Sequence, residues 1–192
     1  ATGGKLGKFE LKDMAQYLPE LAPMAKEAGM KGTEGLTSLV SALQMIRKEV
    51  GTSGEAATNL KNVFSKMFTG ETEKKFEKMG VDLPKEMEKA KKEGKNLLDT
   101  FVALTMTATK GYMTKLPKLF EDMQAQSGMR ALINNVRAMK DMVHEIGKTS
   151  NGTVGKDLKR VLEDSQTGMD RVSGAASRLG KNIGNIINSS RA

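Results

Sequence analysis

Glycine and proline punctuate this chain at intervals of helical length, and between the stops the apolar residues return with a period near 3.6. A set of short amphipathic helices satisfies both signals at once. The clearest is the series Leu36, Leu39, Val40, Leu43, Ile46 and Val50, which lies on one face of a helix that Gly51 is placed to end. Upstream, Phe9, Leu11, Met14, Leu18, Leu21 and Met24 predict a helix from about residue 10 to Ala28, stopped by Gly29. Pro19 and Pro23 should break or kink it, because each lacks the N–H that the helical ladder needs.

Thr52 and Glu55 have the spacing of a capping box, which opens a helix carrying Leu60, Val63, Phe64 and Met67, with Thr69-Gly70 expected to close it. A short helix with Phe76 and Met79 should stop at Gly80. Val81-Asp82-Leu83-Pro84 is an extended link, with Pro84 placed to start a charged helix running to about Gly94. Lys85, Glu86, Glu88, Lys89, Lys91, Lys92, Glu93 and Lys95 mix both signs as a solvated helix surface does.

Residues 97–112 fit two templates. Val102, Leu104, Met106 and Ala108 alternate with Ala103, Thr105, Thr107 and Thr109 as in a half-buried strand, while Leu97, Leu98, Phe101, Leu104, Ala108 and Tyr112 make one helical face. No second strand-like run exists to pair with it, so the segment is read as a helix. Leu116, Leu119, Phe120 and Met123 continue the pattern until Ser127-Gly128, expected to interrupt it. Met129, Leu132, Ile133, Val136, Met139, Met142, Val143 and Ile146 then form a helix of about five turns.

The small polar stretch from Gly147 to Gly155 is the best candidate boundary. Beyond it Val154, Leu158, Val161, Ser165, Met169, Val172, Ala176, Leu179, Ile183 and Ile186 are spaced as a heptad seam with one stutter at Ser165. Gly168, Gly174, Ala175, Ala176, Gly180 and Gly184 keep that helix narrow and intrinsically weak, so it needs a partner to persist. The expected fold is all-α, a compact bundle of short helices followed by a long C-terminal coiled-coil-like helix. The expected divisions are a linker at 1–8, a helical core at 9–147, a linker at 148–155 and an oligomerisation helix at 156–192. The opening Ala1-Thr2-Gly3-Gly4-Lys5-Leu6-Gly7 has no initiator Met, which fits a piece of a longer polypeptide.

Composition narrows the chemistry. Without cysteine there is no disulfide framework, thiolate metal site or Cys nucleophile, and the single histidine, His144, cannot build a His-rich metal site within one chain. His144 lies near the end of its predicted helix, where an imidazolium interacts favourably with the helix dipole. Aromatic residues are only 4% and Trp is absent, while Met contributes 14 positions, most at core spacing. Such methionines read as adaptable packing.

No phosphate loop, dinucleotide fingerprint, EF-hand loop or zincin helix is present, so no cofactor, metal or catalytic residue is assigned. Adjacent carboxylates such as Glu121-Asp122 and Glu163-Asp164 point to different sides of a helix and do not make an acid–base pair. The net charge of +8 favours anionic partners. Only near the end, at Arg171, Arg178, Lys181 and Arg191, does one sign prevail, and without interleaved aromatics these residues offer no more than backbone attraction to nucleic acid. Gly180 and Gly184 have the spacing of a membrane dimer motif, but Lys181, Asn182 and Asn185 beside them suit close packing in water.

Taken in serial order, several of these motifs resemble the core region of phage tail tape measure proteins. Phe9-Glu10-Leu11-Lys12-Asp13-Met14-Ala15, Leu18-Pro19-Glu20-Leu21-Ala22-Pro23 and Ala28-Gly29 resemble its opening, and Leu36 to Val50 its next helix. Gly54-Glu55-Ala56-Ala57-Thr58-Asn59-Leu60 is similar to the small-residue motif that follows, Lys75-Phe76-Glu77-Lys78-Met79-Gly80-Val81 to the lysine-rich helix and its turn. Leu119-Phe120 and Gly128-Met129-Arg130-Ala131-Leu132 resemble the later Phe-Gly and Arg-Ala-Leu signatures. The resemblance covers roughly residues 9–135 and departs at Glu86 to Gly94, where the family has a short link and this chain a charged helix.

The resemblance implies a structural protein of the virion tail, assembled in the bacterial host cytoplasm, that occupies the tail lumen and sets tail length. It implies contact with the tail tube and the baseplate hub or tip, self-association in parallel as a trimer or higher, and release during genome ejection. The candidate oligomer strip is Val154, Leu158, Val161, Met169, Val172, Leu179, Ile183 and Ile186. No small-molecule substrate or enzymatic role is implied for this segment. The alternative is a membrane-active helical module for envelope penetration, suggested by the basic amphipathic end.

Overall fold

The computed structural model of the chain describes residue 9 and residues 11–149, and every regular element among them is a helix. The first, α1 (Leu11–Glu27), contains both Pro19 and Pro23. Neither proline breaks it. Each removes one ladder hydrogen bond, a loss on the order of 3 kcal/mol in an exposed helix. Here Leu18, Leu21, Ala22 and Ala25 are buried, while Pro23 is exposed and Pro19 half-buried, so apolar burial on the opposite face offsets the missing bonds. The helix stops where expected, with the Gly29 N–H on the Lys26 carbonyl (3.0 Å) and the Met30 N–H on the Ala25 carbonyl (2.9 Å).

Next, α2 (Gly32–Glu49) ends at an extended Val50, as its apolar face predicted. Its Gln44 is buried and performs a task that its spacing does not reveal. The side-chain carbonyl accepts the Phe9 N–H at 3.0 Å, and the side-chain amide donates to the Phe9 carbonyl at 2.6 Å. Both backbone groups of the fully buried Phe9 are thereby satisfied.

Thr52 caps α3 (Ser53–Lys66) as the sequence predicts, its hydroxyl accepting the Glu55 N–H at 3.1 Å. Glu55 closes the box one residue further back than usual, on the Gly51 N–H at 3.0 Å. Thr69 does not close this helix. It is the N-cap of α4 (Gly70–Lys78), and α3 has already ended at Met67. At the far end of α4, Gly80 (φ +81°) sends its N–H to the Glu77 carbonyl and lets the Val81 N–H reach that of Phe76. Asp82 then caps α5 (Leu83–Lys92), accepting the Lys85 N–H at 3.1 Å, with Pro84 in the first turn.

The ambiguous segment is helical: α6 runs from Leu97–Thr109 under an Asn96 cap. Its strand-like alternation comes from Thr105 and Thr109, which are fully buried. Each hydroxyl donates to a carbonyl four residues back, Phe101 and Thr105, both at 2.8 Å, which hides its polarity inside the helix. Tyr112, expected on the buried face, is instead 62% exposed, because the helix ends before it. A 3₁₀ turn at Met113–Lys115 leads into the single turn α7 (Leu116–Leu119), and Asp122 caps α8 (Met123–Asn134).

Here the expected break moves. Gly128 lies in the middle of α8, and the interruption falls at Asn135, before α9 (Val136–Thr149). Gly128 is where α8 crosses α3. A Cβ added there would stand 2.9 Å from the Asn59 carbonyl oxygen and 2.9 Å from a Val63 methyl group. Asn59, buried beneath, donates to the Ser127 hydroxyl at 3.1 Å. At the Asn135 bend, Glu49 accepts from the side-chain amides of Asn134 and Asn135, the latter at 2.7 Å.

The helices sort into two groups around one core. In the first, α3 packs on α1, α2 and α8, and α2 also carries α9. In the second, α4 contacts α5 and α7, and α5 contacts α6, around the mutually packed rings of Phe76, Phe101 and Phe120. The groups meet where α6 and α7 touch α8. A hydrogen bond from the Leu97 N–H to the Ala28 carbonyl (3.1 Å) joins the end of α1 to the start of α6.

Candidate functional site

The sequence-predicted oligomer strip, Val154, Leu158, Val161, Met169, Val172, Leu179, Ile183 and Ile186, lies outside the described residues, as does the helix at 156–192. The linker at 1–8 is also outside them. Of the boundary at 148–155, Lys148 and Thr149 belong to α9, and the remainder falls beyond. His144 lies in α9 with its side chain exposed.

Within the described residues a surface groove of about 670 Å³ lies between α4 and the connection from α6 to α7. Lys75, Lys78, Met79, Gly80, Ala108, Lys110, Lys115 and Lys118 line it. The lysines converge because three helix ends meet. Lys75 and Lys78 occupy the last turn of α4, Lys110 caps α6, and Lys115 and Lys118 belong to the 3₁₀ turn and α7. Helix C-termini carry a partial negative charge, which accommodates cations at the first two places.

Among the described residues, one of these ammonium groups is neutralised by carboxylates. Lys75 reaches Glu71 at 2.5 Å, one turn back, and Glu121 at 2.9 Å, across the groove edge. Hydrogen bonds to Glu121 and then Glu71 raise its pKa above the ordinary 10.5. The Lys75 hydrogen bond and charge hold the Glu71 carboxyl below its ordinary 4.5. Lys115 lies 4.9 Å over the Tyr112 ring. Lys110 is the one described non-glycine residue with positive φ, at 54°. A side chain in that conformation costs about 1 kcal/mol relative to glycine.

Sequence reading missed this groove as a unit. Its lysines are scattered through the chain, and the packing of α4, α6 and α7, which share the ring cluster of Phe76, Phe101 and Phe120, brings them together. The mixed-sign surface of α5 is different. There Lys92 pairs with Glu88 at 2.7 Å and, just after the helix, Lys95 with Glu93 at 2.5 Å, as the alternating charges predict. Among the described residues no cluster of three or more potential metal ligands occurs, and no helix is long and apolar enough to cross a membrane.

Residues 1–120 match the family described as phage-related minor tail protein. The chain belongs to that family. This minor tail protein is also 45% identical over 87 residues to a probable tape measure protein of Burkholderia phage BcepMu. The aligned part is 45% of this chain and 10% of that relative, so the chain spans only a small part of the relative's length. No solved structure matches it. Both matches bear out the resemblance of the core motifs to phage tail tape measure proteins, and with it the placing of the chain among phage tail components.

Proposed function

We propose that this minor tail protein is part of a tape measure, a structural assembly protein without catalytic activity. In this reading it lies in the tail lumen, helps set tail length, contacts the baseplate hub or tip and leaves during genome ejection. The observation that carries it is the identity to a probable tape measure protein. The folded core supports a division of labour. A helix advances about 1.5 Å per residue and so can act as a ruler only where it is extended. Residues 11–149 fold back on themselves through nine helices instead. They suit a compact anchoring element, with the measuring length carried by other segments of a longer chain. The strip from Val154 to Ile186 is the proposed self-association surface.

Two experiments test this. In a phage encoding the protein, in-frame deletions in the extended part of the parent chain should shorten the tail by about 1.5 Å per residue removed, measured by electron microscopy. Tails of unchanged length would overturn the tape measure role. Sedimentation of this chain, intact and truncated at Gly152, tests the strip. A multimer lost on truncation supports it, and a monomer in both removes it.

A further inference from the structure

We propose that the lysine groove between α4 and the α6–α7 connection docks an acidic peptide segment of a partner chain. Carboxylates would meet Lys78, Lys110 and Lys118, and an apolar side chain would rest on Met79. The first support is the imbalance of charge. Five ammonium groups line the groove, and the carboxylates bound among them, Glu71 and Glu121, are both engaged by Lys75. Among the described residues Lys78, Lys110 and Lys118 form no ion pair.

The second is the conformation of Lys110. Asparagine or glycine would take its left-handed backbone more readily. A long cation nevertheless stands at this rim, and strain of this kind marks positions worth testing for a role in binding.

The third is the character of the floor. The half-buried Met79 gives it an apolar surface, with Ala108 buried beneath, and the adaptable thioether suits an apolar side chain. Glu121 already enters from outside α4 to reach Lys75, so a carboxylate approaching over this edge has a precedent within the fold. A nucleic acid strand fits less well. Single strands are held by stacking on successive open aromatic rings, and the lining of the groove contains none. At about 670 Å³ the groove holds a few residues of peptide. The inference rests on the groove alone and stands or falls independently of the tape measure role.

The test uses the full chain and a fluorescein-labelled peptide in which glutamates flank two leucines, read by fluorescence anisotropy at low and at physiological salt. Binding should weaken about tenfold or more in Lys78→Glu/Lys118→Glu, since like charges across an interface repel. It should stay within about twofold in Lys89→Glu/Lys92→Glu, which changes net charge equally but on α5. Lys110→Asn is the sharper variant. It keeps a left-handed cap and removes the ammonium, so thermal stability should hold or rise while affinity falls severalfold. Replacing the peptide leucines by serine should also weaken binding. No binding at low salt, equal losses in the two charge-reversal variants, or unaltered affinity in Lys110→Asn would overturn the proposal. So would displacement of the peptide by oligothymidylate at a lower concentration of charged groups than the peptide supplies.

Discussion

Where α3 crosses α8, the fit depends on atoms that are absent: Gly128 has no side chain, and the backbone of Asn59 fills the space that one would need. Around Phe101 the fit depends on bulk, with the rings of Phe76 and Phe120 centred 5.6 and 5.8 Å from its own. Both places are fully buried and both hold helices together. The crossing is specified by exclusion and will resist enlargement, whereas the aromatic cluster is specified by filling and will resist truncation.

The largest effect should come from emptying the cluster. Phe101→Ala is expected to cost about 3–5 kcal/mol, measured by urea denaturation followed by circular dichroism. A loss below about 1 kcal/mol would mean that α4, α6 and α7 collapse freely into the space. Adding one methyl group at the crossing comes next. Helix propensity alone favours Ala over Gly by about 1 kcal/mol, yet Gly128→Ala should destabilise by about 1–3 kcal/mol, because the new methyl group meets backbone. A more stable Gly128→Ala would break the distinction between the two regions.

Two smaller effects sharpen it. The hydrogen bond from Asn59 to Ser127 is part of the crossing, and a double-mutant cycle with Asn59→Ala and Ser127→Ala should return a coupling of about 0.5–1.5 kcal/mol. Near the aromatic cluster, the Asp122 carboxylate accepts the Ala125 N–H at 2.7 Å. Removing this cap with Asp122→Ala should cost about 1 kcal/mol.

The smallest effect is electrostatic and lies at the edge of the cluster. Lys75 holds the Glu71 carboxyl below its ordinary 4.5, so below that pH the unfolded chain binds more protons than the native one. The stabilisation is therefore present above about pH 4.5 and fades as pH falls through the native value. Glu71→Gln should flatten the acid limb of a plot of melting temperature against pH. Identical limbs in the two proteins would show that the pair adds nothing, as many exposed pairs do.

The same contrast explains what could be read from the sequence. Helix starts are legible at Thr52 and Pro84, and stops at Gly29 and Gly80, because capping is local chemistry; the Asp82 cap is hidden in what reads as an extended link. Gly128 reads as a break, since a glycine does not reveal whether the chain turns there or another helix passes over it. Asn135, where the helix does bend, is answered by Glu49, far away in sequence. The prolines of α1 were over-weighted because their cost is local, while the burial that offsets it is tertiary. The lysine groove had no signature at all. Lys75 and Lys110 come to line one groove only through the tertiary packing of α4, α6 and α7.

The clamp of Gln44 on Phe9 has a mechanical side. Gln44 belongs to α2, and α2 is also the helix on which α9 lies. Tension applied between Phe9 and α9 would therefore reach α2 from both sides, by two hydrogen bonds at one end and by a packed helix at the other. A pull that peels the clamp from α2 could leave the rest of the core folded, making α2 a strut and the Phe9 contact its fuse.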